Sequence, residues 1–232
     1  SLTEVLPILQ GLGVEVVDEH PYEIRRSGQE AARIVEFGVV LPQGNIYAYE
    51  TLFARFREAF KACWNGRCEV DAFNGLVVSA GLRWEEVVIL RAYSRYERQI
   101  GSSFGHSYQA AMLRDNATVA RLLIDLFMVR FDPERSDNRT TNEDELVRRL
   151  DVELDAVPSL DADRMMRHMK SLILASVRTN YFLLGMASGH NRALAIKLQP
   201  RRVPGIPAPI PEHEIWSYSP RVEGVHMRFG SI

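Results

Sequence analysis

DAFNGLVVSAGLRWEEVVILRAYSRYERQIGSSFGHSY, residues 71–108, predicts two helices that follow each other almost without a break. The first, about 71–80, begins at Asp71, whose short acidic side chain suits an N-cap, and Gly81 supplies the left-handed residue that closes it. The second, about 83–100, carries an apolar stripe at helical spacing. The stripe consists of Trp84, Val87, Val88, Ala92, Tyr96 and Ile100. Because two short helices with this much apolar surface are not stable alone in water, other helices must pack on them.

The chain after residue 106 supplies those helices. Apolar spacing predicts a short helix over 107–113 and a strongly apolar one over 117–131 that ends at Asp132-Pro133. A capping box of Thr140 and Glu143 predicts a helix to about Val157. Asp161 is expected to cap a last helix from Ala162 to Phe182, with Val177 and Tyr181 on its buried face. The pattern therefore predicts a helical bundle, with Trp84 and Phe127 mostly buried in one core.

The N-terminal part mixes helices and strands. It predicts a helix over 2–11, strands over 14–24 and 33–41, and a helix over about 47–64. Helix, strand, strand, helix is the inner portion of a βαββαβ unit. Its first strand would precede Ser1, and a run over 193–198 is a candidate for its last strand.

Five of the eleven prolines fall within residues 199–211, which indicates an extended linker and a domain boundary. Two strands, 213–218 and 222–229, are expected beyond it. The predicted division is a sheet-and-helix piece over 1–66, a helical bundle over 67–185, a strand and proline-rich linker over 186–211, and short strands over 212–232. The fold class is α+β, dominated by helices.

The composition limits the classes of protein to which the chain can belong. The chain of 232 residues is 46% hydrophobic and 25% charged, which is typical of a globular protein. Its net charge of −2 gives no basic field for nucleic acid. Arg91, Arg95 and Arg98 are therefore interpreted as solvated surface or contacts between subunits. No apolar run approaches the roughly 20 residues that span a bilayer, and no leader precedes the first helix, so we expect a cytoplasmic protein without membrane partners. Cys63 and Cys68 are expected to be free thiols.

No recognisable catalytic pattern is present. A dinucleotide fingerprint needs a glycine-rich turn between a strand and a helix. Gly11-Leu12-Gly13 and the segment Gly101–Gly105 both follow a helix, so we interpret them as helix caps. Ser102 and Ser103 lack the context of a serine nucleophile.

Metal-binding spacing is missing as well. None of the six histidines lies at a zinc-binding spacing. Asp161 and Asp163, near His168, are interpreted as acids that complement a helix dipole. We therefore assign no catalytic, cofactor-binding or metal-binding residue.

Four segments carry a resemblance to a known family. They are GLRWEEVVILRAYSRYERQIGSSFGHSY (81–108), RLLIDLFMVRFDP (121–133), LDAVPSLDADRMMRHMKSLILASVRTNYF (154–182) and EIWSYSPRVEGVHMRFG (214–230). These segments resemble the large NAD-specific glutamate dehydrogenases of bacteria, whose subunits are far longer. The resemblance implies an internal piece of such an enzyme, with an ACT-like (ferredoxin-like) regulatory part at residues 1–66 and the first strands of the catalytic domain at 212–232.

For the complete enzyme, the resemblance implies oxidation of L-glutamate with NAD and water to 2-oxoglutarate, ammonia and NADH. The catalytic lysine and aspartate and the Rossmann domain would follow this piece, so the piece is expected to be inactive alone and to hold no cofactor. Arg221 and Arg228 are interpreted as salt-bridged or solvated strand residues rather than substrate ligands.

Three functions remain open from the sequence. The piece is a non-catalytic segment that links regulatory and catalytic parts or holds subunits together, an ACT-type module that binds an amino-acid effector, or an unrelated helical interaction domain. The expected partners are the other domains of the same polypeptide, further copies of it and an amino-acid effector.

Overall fold

The elements of the chain follow the predicted order closely. The computed structural model describes residues 2–25, 28, 31–41, 48–135, 137–183 and 193–230. The helices are α1 (Leu2–Gly11), α2 (Tyr49–Trp64), α3 (Leu76–Ser79), α4 (Trp84–Gln99), α5 (His106–Asp115), α6 (Ala117–Phe131), α7 (Arg139–Asp155) and α8 (Leu160–Ala175). The strands are β1 (Glu15–Ile24), β2 (Ala32–Val40), β3 (Ser176–Thr179), β4 (Leu194–Leu198), β5 (His213–Tyr218) and β6 (Glu223–Arg228). This arrangement confirms the helix-dominated α+β class.

The N-terminal sheet pairs β1 with β2 in antiparallel register, from Glu15 opposite Val40 to Ile24 opposite Ala32. Near the irregularity at Val16/Asp18, the Gly38 amide donates to Asp18 Oδ1 at 2.9 Å. A side chain at Gly38 would collide with that carboxylate. Within the described ranges, this sheet contains these two strands, because β4 belongs to the other sheet. The expectation that 193–198 completes the N-terminal sheet is therefore wrong.

Helix α4 lies at the centre of the molecule. It contacts α2, α3, α5, α6 and α8, so almost every side chain from Ile89 to Glu97 is buried. Arg91 has no exposed side-chain surface and Arg95 keeps only 24%. The interpretation of these two arginines as solvated surface is therefore wrong, whereas Arg98 is exposed.

The apolar helix α6 packs against α4, as its pattern predicts. Phe127 is fully buried and makes an edge contact with Tyr93, with ring centroids 6.4 Å apart. Trp84 is partly buried against the same core, and the Arg67 guanidinium lies 5.0 Å from the centre of its ring. Both aromatic residues therefore belong to one core. Within the described residues, no helix is long and apolar enough to cross a membrane.

Helix α8 ends earlier than predicted. The expected helix to Phe182 stops at Ala175, and Ser176–Thr179 forms β3, where Val177 is 47% exposed. Branched side chains at Val177 and Thr179 favour a strand, and pairing with β4 gives the backbone amides and carbonyls hydrogen-bond partners. Ser176 Oγ also donates to the Leu172 carbonyl at 2.8 Å. The chain therefore leaves the helix at Ser176.

Two helix starts also differ from the prediction. Ser159, rather than Asp161, caps α8, because its Oγ accepts a hydrogen bond from the Ala162 amide at 3.3 Å. Helix α7 begins after Asn138, with Thr140 inside the helix and Glu143 paired with Arg130. The expected capping box is therefore absent.

The second sheet has the order β3-β4-β5-β6, and all its pairs are antiparallel. Its β4 and β5 strands alternate buried and half-buried positions, and Trp216 and Tyr218 face the core. The proline-rich segment therefore joins two strands that pair with each other. The division of the chain into four parts remains a prediction.

We expect Phe127→Ala to lower the free energy of unfolding by about 3–5 kcal/mol, because the surrounding core cannot close the cavity. Urea unfolding of the purified chain measures this change. Val152→Ala, at a position that is 68% exposed on α7, is the control and should change stability by less than about 0.5 kcal/mol. Similar losses in the two variants would contradict the position of Phe127 in the core.

Candidate functional site

A buried ion pair joins α4 to the turn that precedes α3. Arg91 Nε lies 2.8 Å from Asp71 Oδ2, and Arg91 Nη2 lies 2.9 Å from Asp71 Oδ1. This two-bond geometry is the strongest form of carboxylate recognition by arginine. Asp71 also caps the 3-10 turn Ala72–Gly75, since its carboxylate accepts from the Phe73 amide at 3.0 Å. The predicted N-cap is therefore confirmed, and the same carboxylate also forms the ion pair with Arg91.

His106, at the start of α5, extends this pair. Its Nε2 lies 3.1 Å from Asp71 Oδ2, and its Nδ1 lies 2.9 Å from Ser94 Oγ on α4. The His106 ring also packs on Phe73, with ring centroids 4.6 Å apart. One carboxylate therefore fixes the 3-10 turn, α4 and α5 relative to one another.

Glu69 carries the network to the second sheet. Its Oε2 accepts from Arg95 Nη2 at 2.8 Å, and its Oε1 accepts from the Tyr218 hydroxyl at 3.0 Å. Arg95 Nε also lies 3.9 Å from Glu223 Oε2 at the start of β6. The polar groups beside α4 therefore connect the helices to β5 and β6.

Asn74 completes the network. Its Nδ2 donates to the Glu69 carbonyl at 2.7 Å, and its Oδ1 accepts from Arg91 Nη2 at 2.5 Å. We call the whole set the Asp71 cluster. It consists of Glu69, Asp71, Asn74, Arg91, Arg95, His106 and Tyr218.

Two pKa shifts follow from this geometry. Burial opposes ionisation of Asp71, but hydrogen bonds from His106 and Arg91 and the charge of Arg91 outweigh it and hold the pKa of this carboxyl well below its usual range. Burial disfavours the charged form of Arg91, yet the neighbouring Cys68 and Asp71 raise the pKa of the guanidinium well above its ordinary value. Both groups are therefore ionised at neutral pH.

Three members of the cluster have the geometry of metal ligands. Glu69, Asp71 and His106 each offer one atom within 4.8 Å of the others. However, the oxygens of Glu69 and Asp71 already accept hydrogen bonds from Arg95, Tyr218, Arg91 and His106. Two carboxylates and two guanidinium groups also balance in charge, so a divalent cation would have to displace an arginine. We interpret the cluster as a structural ion-pair network.

A second, partly buried contact holds the proline-rich segment. Glu97 Oε1 lies 2.8 Å from His168 Nδ1, and His168 Nε2 lies 3.0 Å from the Pro204 carbonyl. The hydrogen bond to Glu97 raises the pKa of His168 despite partial burial, and burial raises the pKa of Glu97. His168 therefore connects α4, α8 and the connection between β4 and β5.

Other residues weighed in the sequence have structural roles. Asp163 Oδ1 accepts from Arg167 Nε at 2.7 Å, one turn further along α8. Gly13 and Gly101 have φ of 80° and 95°, in the left-handed conformation that ends α1 and α4. Arg221 and Arg228 are exposed. The assignment of no catalytic or cofactor-binding residue remains a prediction.

Comparison with known proteins gives the family. Three sequence models match this chain: the ACT3 domain of glutamate dehydrogenase over residues 1–52, helical motif 3 of glutamate dehydrogenase over 68–133, and the catalytic domain of bacterial NAD-glutamate dehydrogenase over 149–232. The Asp71 cluster thus joins residues of the helical motif to Tyr218 of the catalytic-domain match. The matches define a segment of an amino-acid dehydrogenase.

Individual relatives make the assignment more specific. The chain is 40% identical to the NAD-specific glutamate dehydrogenase of Mycobacterium tuberculosis, 40% to that of Halomonas elongata and 36% to that of Pseudomonas aeruginosa. Each alignment covers the whole chain but only 14–15% of the relative. The chain belongs to the bacterial NAD-specific glutamate dehydrogenases, and it spans about a seventh of the length of these relatives.

We expect Arg91→Met to destabilise the chain by about 3–5 kcal/mol, because it leaves Asp71 buried without its partner. The matched control is Arg98→Met, on the same helix but exposed, which should cost less than about 0.5 kcal/mol. Urea unfolding at neutral pH measures both. Equal effects would show that the Asp71–Arg91 pair contributes no more than a surface charge.

The His168 contact predicts a pH dependence. Its pKa is raised in the folded chain, so its contribution is fully present below the unfolded value of about 6.5 and is lost as pH rises through the folded value. We expect His168→Gln to cost more stability at pH 5.5 than at pH 8.5. Urea unfolding of wild type and variant at both pH values tests this, and a difference independent of pH would contradict it.

Proposed function

We propose that this chain is a non-catalytic segment of an NAD-dependent glutamate dehydrogenase and that it fixes the catalytic part relative to an ACT-like regulatory part. The complete enzyme would convert L-glutamate, NAD and water to 2-oxoglutarate, ammonia and NADH in the cytoplasm. The names of the relatives support this reaction, and so does the match of residues 149–232 to the catalytic domain of bacterial NAD-glutamate dehydrogenase. NAD would bind to other parts of the polypeptide.

The central position of α4 carries the proposal. On the catalytic side, Trp216 Nε1 donates to the Ala92 carbonyl at 2.9 Å, and the Tyr93 and Ser176 hydroxyls lie 2.8 Å apart. The Trp216 ring also packs against Tyr96, with centroids 5.7 Å apart. The second sheet is therefore attached to one helix by hydrogen bonds and by ring packing.

Contacts on the other side attach α2. Arg55 of α2 and Arg121 of α6 both donate to the Gly81 carbonyl, at the start of the loop that leads into α4. Arg121 also donates to the Ala80 carbonyl at 3.2 Å. The loop before α4 is thus held from both sides, which suits a rigid connection between parts of a larger enzyme.

The N-terminal sheet supports a contact outside the chain. Its apolar side chains Val17, Tyr22, Ile34 and Val40 are 50–56% exposed. Exposed apolar groups of this kind are typical of surfaces that pack against another domain or another copy. We therefore include the rest of the polypeptide and a homo-oligomer among the proposed partners.

An amino-acid effector is the second candidate function, since residues 1–52 match an ACT domain. A ligand at 100 times its dissociation constant would add about 2.7 kcal/mol to stability. Thermal unfolding of the chain with each of the twenty amino acids measures this. A rise in Tm with one amino acid would support a regulatory module. No rise with any of them would rule out this second candidate, and the connecting role would remain.

The connecting role is tested in the complete polypeptide. Trp216→Phe keeps an aromatic ring but removes the hydrogen bond from the indole N–H to the Ala92 carbonyl, which costs about 0.5–1.5 kcal/mol. Trp64→Phe, at a position that is 51% exposed, is the matched control. We expect Trp216→Phe to lower the rate of glutamate-dependent NADH formation and the control to leave it unchanged.

Two outcomes would contradict the proposal. Equal activity of both variants and wild type would show that the attachment of the second sheet to α4 does not matter for catalysis. Glutamate-dependent NADH formation by the 232-residue chain alone would show that the segment is itself catalytic.

A further inference from the structure

Two buried thiols lie beside the Asp71 cluster and share one partner. Asn74 Nδ2 donates to Cys63 Sγ at 3.3 Å, and Cys68 Sγ donates to Asn74 Oδ1 at 3.5 Å. The cysteines are 6% and 4% exposed, and both sulfurs contact the amide group of the same asparagine. Neither is in a disulfide. The structure therefore holds a dithiol pair that the CWNGRC spacing does not suggest.

The end of α2 creates this pair. Gly66 adopts φ of 66°, in the left-handed region, and the Arg67 amide donates to the Ala62 carbonyl at 2.8 Å. These features reverse the chain direction directly after Cys63 and bring Cys68 back beside Cys63. The turn over residues 64–67 is exposed, so the two sulfurs lie just beneath the surface.

The two thiols differ in their environment. Arg91 Nη1 lies 3.5 Å from Cys68 Sγ, whereas Cys63 Sγ lies 3.7 Å from the Glu69 carbonyl oxygen. The hydrogen bond from Cys63 and the charge of Arg91 outweigh burial and lower the pKa of Cys68 to about 7. The same hydrogen bond, together with burial, raises the pKa of Cys63. Cys68 is therefore the thiol that ionises, and Cys63 keeps its proton.

We propose that Cys63 and Cys68 form an oxidative modification site, at which hydrogen peroxide converts the two thiols to an intramolecular disulfide. The Cys68 thiolate attacks one peroxide oxygen, the O–O bond breaks, and hydroxide leaves to become water. Cys68 is then a sulfenic acid. The Cys63 sulfur attacks the Cys68 sulfur, the S–O bond breaks, and the Cys63 proton leaves with the hydroxyl as a second water. The two sulfurs together lose two electrons to one peroxide.

Oxidation would act on the Asp71 cluster directly. The disulfide removes the hydrogen bond that the Cys68 thiol donates to Asn74 Oδ1, and it also removes the sulfur charge that faces Arg91 when Cys68 is ionised. Asn74 and Arg91 both bond to other members of the cluster, which connects the helices to the second sheet. A change in the redox state of the two cysteines therefore alters the contacts that position β5.

The folded chain and a peptide map test the proposal. The chain is treated with hydrogen peroxide, free thiols are blocked with N-ethylmaleimide in denaturant, and the product is digested with trypsin. We expect the peptides 62–67 and 68–83 to be linked, with a mass two hydrogens below their sum, and dithiothreitol to separate them. The rate of linkage should reach half its maximum near pH 7, because Cys68 must be ionised. Linkage only in denaturant, or free thiols after the methionines have been oxidised, would overturn the proposal.

Single variants assign the two roles. In Cys63→Ser, peroxide should stop at a Cys68 sulfenic acid that dimedone traps. In Cys68→Ser, Cys63 should remain a thiol, with a rate of modification at least about tenfold lower, because it lacks the nearby guanidinium. The chain has two cysteines, so no other thiol interferes. Equal rates in the two variants would contradict the assignment of Cys68 as the reactive thiol.

Discussion

A fully buried guanidinium is the constraint on which the described structure depends. Arg91 has no exposed surface, so its charge must be balanced inside the protein. Asp71 provides that balance only when the 3-10 turn places its carboxylate against α4. The cost of leaving either charge unpaired makes this arrangement far more favourable than any in which the turn and α4 separate. The pair contributes specificity of packing, because few other arrangements of the same helices satisfy both groups.

The remaining connections follow from what lies next to that pair. His106 brings α5 to the same carboxylate, and Glu69 brings Tyr218 of β5 to the neighbouring arginine, Arg95. Trp216 adds a hydrogen bond to the backbone of α4 one residue beyond Arg91. A helix with partners on every side cannot move without disturbing the second sheet and the helices around it. Such a helix is suited to fix the geometry between two parts of a long dehydrogenase chain.

Most of the fold could be read from the sequence because helical periodicity is a local signal. The apolar stripe of α4 and the apolar spacing of α6 predict helices that the structure confirms. The end of α8 could not be predicted in this way, because Ser176–Thr179 becomes a strand through pairing with β4, which follows it by more than ten residues. The sheet partner of 193–198 was misassigned for the same reason, since strand pairing depends on distant segments.

Only part of the Asp71 cluster can be predicted from the sequence. The sequence identifies Asp71 as an N-cap, because an N-cap depends on its neighbours alone, but it predicts that its partner Arg91 lies on the surface or in a contact between subunits. One signal was available: Arg91 follows Val87 of the apolar stripe by four residues, so it lies on the edge of the buried face. Its burial depends on the side chains of Cys68, Asp71 and Asn74, which contact the guanidinium from an earlier segment, and no local pattern reveals that contact. The proximity of Cys63 and Cys68 was hidden because it needs both the turn at Gly66 and the shared contact with Asn74.

The most direct measurement of the central role of this pair is hydrogen–deuterium exchange of the chain with Asp71→Asn, which leaves the charge of Arg91 without a carboxylate partner. We expect amides of the 3-10 turn 72–75, of α5 and of β5 to lose protection together, because Asp71 connects all three through Arg91, His106 and the adjoining Glu69. Loss of protection confined to the turn itself, with β5 exchanging as in the wild type, would contradict the view that this ion pair holds the second sheet to the helices.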